Sequence, residues 1–290
     1  MNKIAIIFLA TAMFGCNNAD TKSAAVSSEK KNIGNDGVKI DYTDSGKGDT
    51  VLFFVHGWGI NKSYWENQVN FFKDKYRVIT IDLPGYGASG KNRNSWRVQD
   101  FGGDIDSVIY QLDLRNVVLV GHSMSGDIVV EAALHAPDRV ITVVGVDNFK
   151  NFGEIPTAEA KKFYALVVDS MRHDFKNIVT RYFNEQLFYR TTDSSIRSRV
   201  MNDIFSGDST IAIATMADNN YDELANVIAL KKKIHLINSD VTPTDSTGFK
   251  KNNVPFDIKY IHETGHYPMI EKSAAFNEAL EKIMQEIKTG

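Results

Sequence analysis

Val117-Val-Leu-Val-Gly121-His122-Ser123-Met124-Ser125-Gly126 is the stretch that decides the fold. Four apolar residues, three of them β-branched, read as a strand buried on both faces. Small residues follow at once, and a helical pattern runs on from Gly126 towards His135. A serine between small residues at a sharp strand-to-helix turn is pushed into a strained, exposed position. The small neighbours are needed because the backbone passes close there. The N–H of the next residue, Met124, then points to where an oxyanion would form, at the N-terminus of a helix. A Ser/Gly loop that merely caps a helix is the plainer alternative.

Working outward, strand-like runs recur at 38–42, 51–55, 77–81, 140–146, 234–237 and 257–261. Helical patterns fill the gaps at 63–72, 97–111 and 126–135. A last helix from Ser273 sets Phe276, Leu280, Ile283, Met284 and Ile287 on one stripe. This alternation predicts an α/β fold with a doubly wound, mostly parallel sheet. The alternation breaks over about 149–229, which is rich in helix formers and aromatics such as Phe163, Tyr164, Phe175, Phe183 and Phe188. That stretch is expected to be a helical cap lying over the sheet, inserted into a single domain spanning 34–290. Its aromatics suggest an apolar acyl pocket, although packing between helices asks for the same residues.

The 290 residues are 43% hydrophobic and 24% charged, an ordinary globular composition. The formal net charge of −3 leaves no basic excess, so no nucleic-acid partner is expected. Cys16 is the single cysteine, which excludes an internal disulfide framework and a cysteine-rich metal site. Ahead of it an apolar run from Ile4 to Phe14 follows Lys3. That run is too short for a mature membrane span and fits a signal peptide over 1–15. Its end at Gly15-Cys16 resembles a bacterial lipoprotein signal, which implies that Cys16 is acylated and that the protein is exported and held at a membrane of the cell envelope. A plain secretory signal or an uncleaved N-terminal anchor is the other reading. Residues 16–33 are polar and aperiodic and read as a flexible tether.

Three further motifs follow strands. His56-Gly57-Trp58-Gly59 comes after 51–55, and its glycines let the backbone turn so that the Trp58 main chain presents an N–H while the indole lines a pocket. Asp82-Leu83-Pro84-Gly85-Tyr86-Gly87-Ala88-Ser89 makes a tight loop with a structural role. Gly265-His266-Tyr267-Pro268 follows the last strand, where an imidazole can reach back to Ser123. Among the other histidines, His122 is the variable position of the turn and His56 packs near the Trp58 loop. His135, His173 and His235 read as helix-end, surface or strand residues.

These motifs, in this order over about Val38 to the end, resemble the α/β-hydrolase superfamily. The resemblance implies an α/β-hydrolase fold with Ser123 as nucleophile, His266 as general base, and the N–H groups of Trp58 and Met124 as the oxyanion hole. It also implies an acid in the loop after the strand that follows the insertion. Asp240 matches that place and is favoured because the fold's order is Ser, Asp, His. Asp147, at the end of 140–146, stands where some members carry the acid, and Asp245 is a weaker third choice. The family pattern G-x-S-x-G is altered here, since Ser125 replaces its last glycine, and a slightly crowded turn is expected.

His262-Glu263-Thr264-Gly265-His266 also matches the zinc pattern H-E-x-x-H, which needs both histidines on one face of a helix. The strand before it, Gly265 inside it and Pro268 just after it argue for a strand-to-loop junction instead, with no metal and no organic cofactor. The expected activity is therefore that of a serine hydrolase on a carboxylic ester or related acyl bond of a small molecule. Serine at position 123 argues against dehalogenase and epoxide-hydrolase chemistry, for which the resemblance would require aspartate. Fold does not fix function, so a ligand-binding or sensor protein with a slow triad is the alternative. Turnover of an ester separates the two.

Overall fold

The computed structural model describes residues 32–217 and 220–289. The expected signal peptide, Cys16 and nearly all of the expected tether lie outside the described residues. In chain order the elements begin with β1 (Ile33–Asn35), β2 (Val38–Asp44), β3 (Val51–Val55), α1 (Glu66–Phe72), β4 (Arg77–Asp82) and α2 (Val98–Gln111). Next come β5 (Val117–His122), α3 (Ser125–His135), β6 (Val140–Val146) and α4 (Ala158–Tyr182). A π-turn over Phe183–Leu187 leads to α5 (Ser194–Ser206), α6 (Ser209–Ala217) and α7 (Glu223–Leu230). The chain ends with β7 (Ile234–Ser239), α8 (Thr247–Lys251), β8 (Phe256–Ile261), α9 (Pro268–Glu271) and α10 (Ser273–Thr289).

The strands form one sheet of eight in the order β1-β2-β4-β3-β5-β6-β7-β8. The pairs from β4 through β8 are parallel, whereas β2 pairs antiparallel with both β1 and β4. A parallel sheet needs cover on both faces, and the side chains divide accordingly. Phe53, Val55, Val117 and Leu119 face a core shared with Phe101, Ile105, Ile109 and Val129 from α2 and α3. Leu52, Phe54, Val118 and Val120 face the other core, shared with Phe72 of α1 and with Phe276, Leu280 and Ile283 of α10. Two-residue periodicity in the strands and a 3.6-residue stripe in the helices thus meet on both faces.

Between β6 and β7 the chain leaves the sheet. Thr157 caps α4 by accepting from the Ala160 N–H at 3.1 Å, and α4 is kinked at Asp174. Val168, Met171, Val179, Phe183, Val200 and Ile204 of this insertion pack with Ile60 and Tyr64 of the sheet domain. The helical stretch of 149–229 is not all cap, however. Its last helix, α7, packs against α3 and places Val227 and Leu230 in the α2–α3 core. Nor are all its large apolar residues internal: on α4, Phe163 is 69% exposed and Leu166 57%.

The Asp82 loop has the structural role expected of it. The Asp82 carboxylate accepts from the N–H groups of Lys62 and Ala88 at 2.8 and 2.9 Å and from Lys62 Nζ at 2.7 Å. Among the described residues no helix is long and apolar enough to cross a membrane. Phe53 is fully buried at the middle of central strand β3. The Phe53→Ala change is expected to cost about 3–5 kcal/mol of stability, read as a lowered urea midpoint with an unchanged denaturant slope.

Candidate active site

Three strand ends converge at the C-terminal edge of the parallel sheet, where α/β sheets carry their sites. Ser123, straight after β5, takes a left-handed φ of +54°, a conformation a serine adopts only when its surroundings enforce it. Its N–H donates to the Val146 carbonyl of β6 at 2.9 Å, and its carbonyl accepts from Gly126 N–H at 2.9 Å. Asn148 Nδ2 donates to the carbonyls of Gly121 and Ser123 at 3.0 and 3.3 Å. Close approach explains two of the glycines. A Cβ on Gly121 would stand 2.2 Å from the Ser125 carbonyl oxygen, and one on Gly57 would stand 2.4 Å from His122 Nδ1.

Ser125 is accommodated rather than crowded. It is fully buried, and its hydroxyl donates to the His56 carbonyl at 2.5 Å. The departure from the glycine of the family pattern therefore adds a tie between the turn after β5 and the loop after β3. That loop is fixed further by His56, whose Nε2 accepts from Leu83 N–H at 3.0 Å and whose Nδ1 donates to the Gly57 carbonyl at 2.8 Å. Burial lowers the pKa of His56, consistent with a neutral ring making both bonds.

His266 lies between a hydroxyl and a carboxylate. Its Nε2 is 2.8 Å from Ser123 Oγ, and its Nδ1 is 2.6 Å from Asp147 Oδ2. A carboxylate can only accept, so Nδ1 carries a proton, which leaves Nε2 of the neutral ring to accept from Ser123. The backbone of His266 is held from two sides. Its N–H donates to the Leu187 carbonyl of the cap at 2.7 Å, and its carbonyl accepts from His122 Nε2 at 2.7 Å. Burial, reinforced by the neighbouring His266, lowers the His122 pKa to about 3, so that ring stays neutral and serves as a strut. The sequence marked His122 only as the variable position of the turn.

Asp147 is the carboxylate that meets His266, and the expectation of Asp240 is corrected here. Asp147 directly follows β6, takes a φ of +49° and is fully enclosed. Its Oδ1 accepts from both the N–H and the hydroxyl of Ser239 at 2.7 Å and pairs with Lys150 Nζ at 2.9 Å. Burial pushes the Asp147 pKa up, but the bonds from His266 and Ser239 and the Lys150 charge outweigh it and hold the pKa below the usual carboxylate range. Asp240 instead accepts from His262 Nδ1 at 2.9 Å and from Glu263 N–H at 3.0 Å. It is about a third exposed. The physical reason is that Ser239, the last residue of β7, is the one turned inward and serves as a donor to Asp147. Asp245 accepts from Thr247 N–H at 2.8 Å in a surface turn. Lys150 and Ser239 were not singled out from sequence; a lysine three residues after a buried aspartate is the signal that could have flagged the first.

Ser123 opens onto a cavity of about 340 Å³ bounded by Trp58, Trp96, Phe101, Met124, Asp127 and Tyr164. The Trp58 indole donates to the Ala212 carbonyl of α6 at 2.8 Å, tying the loop after β3 to the cap. Trp58 and Met124 thus both border the cavity beside Ser123.

The H-E-x-x-H stretch is not helical. Residues 262–263 form a turn, Glu263 has a φ of +54°, and the two imidazoles engage Asp240 and Asp147 separately. Elsewhere His235, Asp257 and Glu286 bring potential metal-ligating atoms within 4.8 Å of one another. Lys233 and Lys259 already pair with both of those carboxylates at 2.8–3.8 Å, which spends the negative charge a cation would need.

Comparison with known proteins agrees with this fold. A family model described as the alpha/beta hydrolase fold matches residues 50–198. The chain is 24% identical over 255 residues to 3-oxoadipate enol-lactonase 2 of Acinetobacter baylyi, covering 86% of this chain and 94% of that protein. It is 34% identical over 141 residues to a pimeloyl-[acyl-carrier protein] methyl ester esterase of Aliivibrio salmonicida, covering 47% of this chain and 51% of that one. In structure it is similar to a thermophilic esterase from Thermogutta terrifontis, with a TM-score of 0.75 at 19% identity over 88% of this chain and 97% of the other. The chain belongs to the α/β-hydrolase fold family, among relatives that include esterases and lactonases.

Proposed function

We propose that this α/β hydrolase is a serine hydrolase that cleaves a carboxylic ester or related acyl bond of a small molecule. The observation that carries the reading is the unbroken chain of contacts from Ser123 Oγ through the His266 ring to Asp147 Oδ2, at 2.8 and 2.6 Å. Ser123 Oγ attacks the carbonyl carbon while His266 Nε2 takes its proton. Asp147 holds the ring in the tautomer with Nδ1 protonated and stabilises the imidazolium that forms. The carbonyl oxygen becomes an oxyanion facing the N–H groups of Trp58 and Met124. His266 then gives its proton to the leaving oxygen, and an acyl-Ser123 remains. Water attacks that acyl group with His266 again as base, which frees the acid and restores the serine.

Ester hydrolysis is expected to fall at least about a thousandfold in Ser123→Ala, read as kcat on p-nitrophenyl esters of graded acyl length. Unaltered turnover in that variant would overturn the reading. Asp147→Asn is expected to lower kcat by about a thousandfold or more, and Asp240→Asn by no more than about twofold. The reverse ranking would return the acid role to Asp240. We propose further that Cys16 carries a lipid anchor. Cys16→Ser is then expected to move the protein from the membrane to the soluble fraction of expressing bacteria, whereas unchanged fractionation would contradict the anchor.

A further inference from the structure

The cavity beside Ser123 is apolar and aromatic over most of its wall, with one exception. Asp127, in the first turn of α3, carries the sole carboxyl among its lining residues. Its Oδ1 is buried and has no hydrogen-bond partner among the described residues. Burying an unpaired carboxylate oxygen is costly, so it asks for an explanation. No lysine or arginine is among the residues that line the cavity. Arg93 stands behind the wall: it pairs with Asp104 at 2.6 Å, and its guanidinium lies 4.8 and 4.7 Å from the ring centroids of Trp96 and Phe101. A charge of the same sign acts on Asp127 electrostatically, that of Glu223 on α7, which packs against α3.

From this arrangement we propose that Asp127, backed by Glu223, makes the cavity a subsite for a cationic group, so that the substrate carries a quaternary or other substituted ammonium. This rests on the serine-hydrolase reading and adds a substrate class to it. Trp58 and Tyr164 line the same cavity, and aromatic rings attract a desolvated cation. Burial pushes Asp127 well up and Glu223 up to about 7, with the Glu223 charge adding to the shift at Asp127. In the empty cavity the pair therefore tends to hold a proton, and an ammonium group would take its place. The arrangement also bears on the reaction. A bare negative charge in the cavity that holds the oxyanion opposes formation of that oxyanion, and a substrate cation beside Asp127 cancels it.

Two ketones of matched shape, which cannot be hydrolysed, test the subsite by calorimetry on the wild-type protein. They are 5-(trimethylammonio)pentan-2-one and its neutral isostere 6,6-dimethylheptan-2-one. The cation is expected to bind at least about tenfold more tightly. The preference should vanish in Asp127→Asn and shrink in Glu223→Gln. Equal or tighter binding of the neutral ketone, binding of neither, or a preference that survives in Asp127→Asn would each overturn the proposal. The wild-type comparison decides even if a variant fails to fold. Hydrolysis of the corresponding p-nitrophenyl esters is followed in parallel. Ketone discrimination without ester turnover would sink the serine-hydrolase reading and leave the cation subsite standing.

Discussion

A serine forced into left-handed backbone conformation at the end of β5 is the constraint on which the site depends. With φ at +54°, Ser123 turns its hydroxyl out of the strand line and towards His266. Such a conformation costs on the order of 1–3 kcal/mol and persists only where neighbours over-determine it. Here they do so from three directions: Val146 of the adjacent strand, Asn148 beyond it, and the Ser125 hydroxyl that ties the turn to His56. The parallel sheet, buried on both faces, supplies the rigidity against which that strain is held.

The same logic links Asp147 to His266. Asp147 also adopts a positive φ directly after a strand, so two adjacent strands end in strained residues aimed at one point. Ser239 and Lys150 keep the Asp147 carboxylate charged although it is buried, and that charge orients His266. The cap contributes through main-chain and indole bonds, Leu187 to His266 and Ala212 to Trp58. Cap position and the placement of His266 and the Trp58 loop are therefore coupled.

Much of this was legible in the chain because strands buried on both faces must be apolar runs, and 51–55 and 117–120 are such runs. Ser123, His266 and the Trp58 loop were legible because small residues mark places where backbones pass closely. Short β1, Ile-Gly-Asn, has no pattern to betray it. Phe163 reads as a packing or pocket residue but is exposed, since composition alone does not say which side of a helix is covered. The carboxylate that meets His266 was misassigned between Asp240 and Asp147 because each directly follows a strand, β7 and β6 respectively, and chain order alone does not decide between adjacent strand ends. The choice turned on Ser239, an inward donor whose partner sits 92 residues away in the chain.

The most direct test of the central claim is the mass of the protein after reaction with a fluorophosphonate, followed by peptide mapping. The account requires one phosphonyl adduct per chain, located on the peptide containing Ser123. No adduct on folded protein, or an adduct confined to another residue, would contradict it.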